Sequence, residues 1–367
     1  MRANLDIQPA DKHQIDTLVA LENDCFETDR LTRRNFQWML SKGNASLLIA
    51  SYNGELKGYV LTLFHKGTSL ARIYSMAVDA DSRRRGIGDA LLKAAETEAR
   101  THDCLYSRLE VRRDNLEAIQ FYQNRGYREF ETWANYYEDH EDALRYEKRI
   151  RIESPATQTP VPYYAQTTEF TCGPASLMMA MAALSEDYQC RPSDELQLWR
   201  EATTIFMTSG HGGCGPRGLA LAAHARGFKP EIYVSRDGPL FLDGVRNPMK
   251  KEVLLRVHAD FKARCKEAGI PFHRKALGIQ QLQKHLDAGA LILVLISSYR
   301  LYGEKAPHWV VITGYSDRFV FFNDPSVDHE AHETETDRMN IPMLLGDFAK
   351  MAQFGRSQVK AAVVIAS

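Results

Sequence analysis

Hydrophobic and polar residues repeat with two different periods along the chain, and the switches between them lay out its elements. Apolar positions at helical spacing predict helices near Asp11 to Cys25 and near Thr32 to Ser41. The periodicity then predicts strands near Ser46 to Ser51, Glu55 to Phe64 and Ser69 to Val78, with Asn53-Gly54 as a hairpin turn between the first two. A helix over Asp89 to Arg100 precedes a strand from Leu105 to Val111. In that strand Leu105, Leu109 and Val111 alternate with Tyr106, Arg108 and Glu110, so Glu110 faces away from the aliphatic side. A further helix, Asn115 to Asn124, puts Tyr122 on one face with Ala118 and Ile119.

The polar stretch from Ile152 to Pro160 interrupts these patterns. Beyond it, Cys172-Gly173-Pro174-Ala175-Ser176 opens a helix that runs to about Leu184, with proline near the first helical position. A helix from Arg217 to Arg226 follows Cys214-Gly215-Pro216. Ala290 to Ser297 reads as a buried strand, and Pro307 to Tyr315 as a second that begins at His308. Phe319 to Phe322 is a third, ending at Asn323-Asp324-Pro325. A hairpin through Ser316-Asp317 would bring Asp324 alongside His308. A length of 367 residues favours two domains, and the polar stretch divides the chain into residues 1–152, a linker at 153–160, and residues 161–367.

Charge narrows the possible partners. Lys plus Arg is 46 against 47 for Asp plus Glu, a formal charge of -1 that argues against a nucleic-acid or membrane-surface role. The first residues lack the apolar core of a secretion signal, and the longest aliphatic run, Ala290 to Ile296, is too short to span a bilayer. The expectation is a soluble, cytoplasmic protein. Six cysteines without a CxxC pair predict neither a disulfide framework nor a zinc site, so no metal is expected and most of the thiols should be small buried apolar groups.

Two regions carry chemistry. In the first, Arg83-Arg84-Arg85-Gly86-Ile87-Gly88 leads directly from a strand into a helix. Unpaired N–H groups and a positive dipole end sit at a helix start, and glycine lets a phosphate approach the backbone. The run Leu109-Glu110-Val111-Arg112-Arg113-Asp114-Asn115, followed by Ala118-Ile119, Phe121-Tyr122, Gly126-Tyr127 and Asn135-Tyr136-Tyr137, resembles the GNAT acetyltransferase family and, within it, the RimI-like N-terminal acetyltransferases. The resemblance covers roughly residues 5 to 150 and implies an α/β fold, a mixed central sheet with flanking helices. It implies that Arg83, Arg84, Arg85, Gly86, Ile87 and Gly88 hold the pyrophosphate of acetyl-CoA. It also implies that amides around Ala77 and Val78 hold the pantetheine arm, and that Asn115 belongs to the cofactor-binding set. Glu110 is then the general base toward an incoming amine, Tyr122 the general acid toward the departing thiolate, and the acceptor a peptide or protein amine.

In the second region, Cys172 stands at a helix start, where the dipole favours a thiolate. Gln166, six residues earlier, can offer an amide donor to an oxyanion. His308 and Asp324 supply a base and a group to orient it. Cys214-Gly215-Pro216 repeats the pattern, but Thr208, not glutamine, stands six residues ahead of it. Cys172 is therefore preferred, with Gly210 to Cys214 as a loop that lines the cleft and His211 as a surface residue. This half resembles cysteine peptidase family thirty-nine, papain-like α+β domains that remove leader peptides, on Gln166, Cys172-Gly173-Pro174, His308 and Asp324-Pro325. It departs from that family at Thr171, where an aspartate is common, in the length of Arg191 to Lys275, and in the lack of a following ABC transporter. Two readings stay open, a thiol peptidase or amide hydrolase with a Cys-His-Asp triad, and a peptide-binding module in which Cys172 is unused.

Overall fold

The structure, a computed structural model, describes residues 5–367 except 42, 66, 152–156, 205–211, 241, 243–244, 304–305, 328–334 and 356, and except the side chains of 300 and 336. The chain forms two compact units, Met1–Ile152 and Glu153–Ser367. Among the described residues no helix is long and apolar enough to cross a membrane.

The first unit is built on seven strands, β1 (Leu5–Pro9), β2 (Ala45–Tyr52), β3 (Glu55–Phe64), β4 (Leu70–Val78), β5 (Tyr106–Arg112), β6 (Arg128–Trp133) and β7 (Ala143–Arg149). Their order is β1-β2-β3-β4-β5-β7-β6. Helices α1 (Ile15–Cys25), α2 (Arg33–Ser41), α3 (Ile87–Thr101) and α4 (Leu116–Gln123) cover the two faces. The pleat explains the division. On β2, Leu47 and Ile49 join a core with Leu18 of α1 and Phe36 of α2, whereas Leu48 and Ala50 join another with Leu91 of α3 and Tyr122 of α4. At Asn53-Gly54 both residues have positive φ, 53° and 87°, as a two-residue hairpin turn requires.

One junction shapes the site. β4 and β5 are parallel but pair only through Leu70–Ile73 and Tyr106–Leu109, although β4 continues to Val78 and β5 to Arg112. A register shift on the β3 side leaves Tyr74 bulged just where the pairing stops. The two strands therefore part, and among the described residues the β4 edge facing β5 has no strand partner beyond Ile73.

The second unit has β8 (Thr157–Gln158), β9 (Lys229–Val234), β10 (Phe272–His273), β11 (Leu291–Ser297), β12 (Pro307–Tyr315), β13 (Phe319–Asn323), β14 (Ile341–Leu344) and β15 (Ala361–Ala366). The order is β10-β9-β15-β11-β12-β13-β14, with β8 on β12. Thr157 and Gln158, expected in the linker, are thus part of this sheet. The helices are α5 (Cys172–Leu184), α6 (Pro192–Ala202), α7 (Pro216–His224), α8 (Pro248–Glu267), α9 (Ile279–Asp287), α10 (Tyr299–Tyr302) and α11 (Leu345–Met351). Every residue from Cys172 to Met181 is buried, the mark of a central helix without a solvent face. The Ser176 hydroxyl donates to the Trp309 carbonyl (3.0 Å), which ties α5 to β12 next to His308.

Candidate active sites

At the β4–α3 turn, Arg83, Arg84, Arg85 and Gly86 are all exposed. Gly86 is the residue before the first turn of α3, has φ 81° and offers no side-chain cap, so the first amides of the helix keep no capping partner. A Cβ at Gly86 would meet nothing within 4 Å, so the space in front of these amides is open. Arg84 also has positive φ, 61°, a strained conformation for a side-chain-bearing residue and common where a loop is shaped for a ligand. Arg83 Nε lies 3.5 Å from the Val78 carbonyl, and Arg85 Nη2 donates to the Asp81 carbonyl (3.1 Å), which shapes the loop. Ala77 and Val78 stand on the part of β4 that has left β5. The donor set of exposed amides and three guanidiniums suits a pyrophosphate, and the parted strands suit an extended arm. Asn115 has another occupation: its Oδ1 accepts the Ala118 N–H (3.0 Å) and caps α4.

Glu110 and Tyr122 lie on different faces of the parted sheet. Glu110 is enclosed by ions, Arg72 Nε donating to Oε2 (2.7 Å) and Arg145 Nε to Oε1 (3.2 Å). Arg72 Nη2 also donates to the Tyr136 hydroxyl (2.9 Å), and Arg145 Nη1 to Glu131 (2.9 Å). Arg145 is 1% exposed and sits over the Trp133 ring at 4.2 Å. Sequence reading missed both arginines, because the pairs span 38 and 35 residues. Tyr122 is buried, edge-on to Phe121 (5.1 Å) and Tyr127 (5.6 Å). Burial, outweighing the nearby Arg125, pushes its hydroxyl pKa well up, so the phenol keeps its proton.

In the second unit, Cys172 opens α5, His308 is the second residue of β12 and Asp324 follows β13 directly. The β12–β13 hairpin, with Val311 opposite Asn323, brings the last two together. His308 Nε2 and Asp324 Oδ1 are 2.6 Å apart, and Cys172 lies close enough to the same imidazole to help raise its pKa. Burial pulls the His308 pKa down, but the charge and hydrogen bond of Asp324, with a smaller pull from Cys172, win and push it up to about 10. Burial pulls Asp324 up, yet His308, Arg338 and the Tyr302 hydroxyl together hold it below the usual carboxylate range. Ser326 N also donates to Asp324 Oδ1 (2.9 Å).

The Gln166 segment is stitched to the same strand end. Gln166 N donates to the Pro325 carbonyl (2.8 Å) and the Tyr163 hydroxyl to the Asp324 carbonyl (2.7 Å). Gln166 Nε2 donates one hydrogen to the Thr168 carbonyl (2.9 Å), while its buried Oε1 has no partner among the described residues. Sequence reading missed the anchor of this segment. Glu195 of α6, fully buried, accepts from the Tyr164 hydroxyl (2.9 Å), Thr167 N (2.8 Å), the Thr167 hydroxyl (2.7 Å) and the Thr171 hydroxyl. Cys214 is buried beside Cys172, and burial lifts its thiol pKa well up. A Cβ on Gly173 would stand 3.1 Å from the Cys214 Cβ, so α5 begins directly against it. Thr208, Gly210 and His211 lie outside the described residues.

Comparison with known proteins follows this division. The profile described as Peptidase_C39 like family matches residues 161–366, and that of the Acetyltransferase (GNAT) family matches residues 14–127. An uncharacterized N-acetyltransferase of Methanocaldococcus jannaschii is 34% identical over 131 residues, 35% of this chain and 82% of the relative. An N-alpha-acetyltransferase of Sulfurisphaera tokodaii is 34% identical over 117 residues, 28% of this chain and 69% of the relative. Among solved structures, the ribosomal-protein-S18-alanine N-acetyltransferase from Escherichia coli matches 41% of this chain and 97% of its own, at 23% identity and a TM-score of 0.38.

Proposed function

From the premise that the chain belongs to the Peptidase_C39 like family and carries a GNAT-family acetyltransferase domain ahead of it, we propose that it is a two-site enzyme. One site is an N-acetyltransferase for the α-amino group of a peptide or protein. The other is a thiol hydrolase for a peptide or amide bond.

The acetyltransferase reading is carried by the uncapped α3 start beside the parted β4 and β5. Acetyl-CoA supplies an acetyl group activated as a thioester. The amides of Ile87 and Gly88, with Arg83, Arg84 and Arg85, would hold its pyrophosphate, and the β4 edge around Ala77 and Val78 would bind its arm. Glu110, with Arg72 and Tyr136, forms the acceptor face, where its carboxylate draws the amine in. Tyr122, kept protonated by burial, would be the group that offers a proton, at its Oη, to the thiol side of the cofactor. The α-amine as acceptor is supported by the name of the Sulfurisphaera tokodaii relative.

The thiol reading is carried by the 2.6 Å bond between His308 and Asp324 with Cys172 on the same ring. The Cys172 thiolate adds to the carbonyl carbon, and the His308 imidazolium gives its proton to the leaving amine. Water then adds to the acyl-thioester, His308 taking its proton, and the carboxylic acid and the thiolate part. The second Nε2 hydrogen of Gln166 and the Cys172 amide are the donors for the oxyanion. The test is mass spectrometry of a cell extract incubated with acetyl-CoA and wild-type, Cys172→Ala or Glu110→Gln protein. New N-termini must disappear with the first variant and acetyl marks with the second; persistence of either removes the corresponding reading.

A further inference from the structure

A second carboxylate lies deeper than Glu110 in the first unit. Glu22 of α1 is 2% exposed; its Oε1 accepts the Leu31 N–H (2.9 Å) and its Oε2 accepts the Tyr59 hydroxyl. Tyr59 of β3 is fully buried, and its hydroxyl lies 2.6 Å from Ser75 Oγ, where either atom can donate. Ser75 is half-buried on β4, next to the bulged Tyr74 and two residues past the last β4–β5 pair. These three groups form an unbroken chain of exchangeable hydrogens from the interior to the place where the strands part. Holding the α1–α2 connection needs only the Leu31 bond. A buried carboxyl, phenol and hydroxyl in series are otherwise an expensive way to fill a core, since each must be desolvated.

The electrostatics agree with a proton path. Burial raises the Glu22 carboxyl above its usual range against the pull of Leu31 N–H, Tyr59 and Arg30, and Tyr59 is raised further by burial and by Glu22. The charged and titratable groups facing Glu22 are Arg30 from the following loop, Cys25 from its own helix and Tyr59 from β3. Glu110, in contrast, has a guanidinium on each oxygen, so a proton arriving there must displace an ion-pair bond.

We propose that Ser75, Tyr59 and Glu22 form a proton relay that takes the proton of the acceptor amine, with the Glu22 carboxylate as its terminus. This rests on the acetyltransferase reading above. The amine N–H breaks and its proton passes to Ser75 Oγ as the serine proton moves to Tyr59 Oη and the tyrosine proton to Glu22 Oε2. The nitrogen keeps the electron pair with which it bonds to the acetyl carbon. Glu22 ends neutral, and the relay runs back to water through Ser75 after the product leaves. Ser75 is the catalytic group, touching the amine; Tyr59 and Glu22 act through it.

The test uses the full chain, acetyl-CoA and a pool of short peptides carrying each of the amino acids at the N-terminus. Ser75→Ala keeps the Glu22–Leu31 and Glu22–Tyr59 bonds, so it leaves the fold and acetyl-CoA affinity by calorimetry unchanged. Its kcat should fall roughly 10- to 100-fold at neutral pH, a loss that shrinks as the pH approaches the amine's own pKa, because general base catalysis contributes on that scale. Ser75→Thr, which keeps a hydroxyl, should recover most of it. Carboxyl 13C NMR supplies a readout free of turnover: Glu22 should titrate above the ordinary glutamate range, and Tyr59→Phe should shift it. If Ser75→Ala matches wild type at every pH, or Glu22 titrates as an ordinary glutamate, the relay is overturned alone. A wild-type chain that binds no acetyl-CoA overturns the acetyltransferase reading and the relay with it.

Discussion

His308 Nε2 meets Asp324 Oδ1 at 2.6 Å across the ends of β12 and β13, so the other ring nitrogen is the one that remains for Cys172. An imidazole held in this way presents one fixed nitrogen to sulfur and keeps its positive charge over a wide pH range, with its pKa at about 10.

That arrangement sets Cys172 apart from the other thiols. Burial lifts Cys104 to about 12 and Cys190 and Cys265 to about 11, and raises Cys25 and Cys214 as well. Iodoacetamide at mildly acidic pH should therefore label Cys172 first, and His308→Ala should erase the preference. Peptide mapping reads this directly, and prior labelling of Cys214 would make it the nucleophile instead.

The Arg83–Gly88 loop ahead of α3 makes a separate prediction. At φ 81° a valine in place of Gly86 is strained and stands in the open space before the α3 amides. Gly86→Val should weaken acetyl-CoA at least about tenfold, or 1.4 kcal/mol, by calorimetry. Gly88→Ala, whose Cβ would rest at ordinary contact 3.4 Å from Phe121, should weaken it less. Equal affinity of wild type and Gly86→Val would falsify the loop's role.

These sites differ in how readily the sequence discloses them. Strands β2 and β3 are apolar runs buried on both faces, Leu109 and Val111 of β5 alternate with charged residues, Asn53-Gly54 announces its turn, and α5 is apolar all round, so the local pattern reaches these elements. β6 does not alternate; Arg128-Glu129-Phe130-Glu131-Thr132-Trp133 is polar and largely exposed, held by pairing with β7 and not by burial. β1 is short and mostly exposed and carries the same weak signal. The Cys172, His308 and Asp324 positions could be read because each sits at a visible element end. Arg72, Arg145, Glu195 and the Glu22–Tyr59–Ser75 chain could not, since their meaning comes from partners on other elements. A buried ion or hydrogen-bond network leaves no period in the sequence.

Arg145 offers a test of the acceptor face. Arg145→Met keeps the stacking volume near Trp133 but takes one guanidinium from Glu110, which retains Arg72, and from Glu131, which retains the Trp133 indole. The first unit should lose stability in denaturant unfolding, by less than the roughly 3–5 kcal/mol typical when a buried ion is left wholly unpaired. Tyr122→Phe should behave in the opposite manner, with stability and acetyl-CoA affinity kept and kcat lowered about 100-fold. If Tyr122→Phe turns over at the wild-type rate, the phenol is only a core aromatic.

Glu195 should matter to Cys172 although it does not touch substrate. Glu195→Ala strands four donors of the segment that carries Gln166 and leads into α5, so a loss of about 3 kcal/mol or more is expected. Calorimetry of the full chain should show one transition lowered and the acetyl-CoA affinity unchanged. The alkylation rate of Cys172 should fall in the same variant; an unaltered rate would reduce Glu195 to a structural prop.

The His308–Asp324 pair also fixes how stability of the second unit depends on pH. A histidine whose folded pKa is raised contributes stability in full below its ordinary range, and that contribution is lost as pH rises through about 10. A carboxylate whose folded pKa is lowered contributes above the ordinary carboxylate range, and its share is lost as pH falls through the lowered value. Both are present together from mildly acidic to neutral pH. In that window Asp324→Asn should reduce the unfolding free energy of the second unit by about 3–5 kcal/mol, because His308 is left buried and charged or must give up its proton. The deficit should narrow on the alkaline side, where wild-type His308 becomes neutral too, and on the strongly acidic side, where wild-type Asp324 is protonated. Urea unfolding across a pH series compares the two proteins, and a deficit that stays constant from acid to alkali would mean that Asp324 acts through packing and not through its charge on His308.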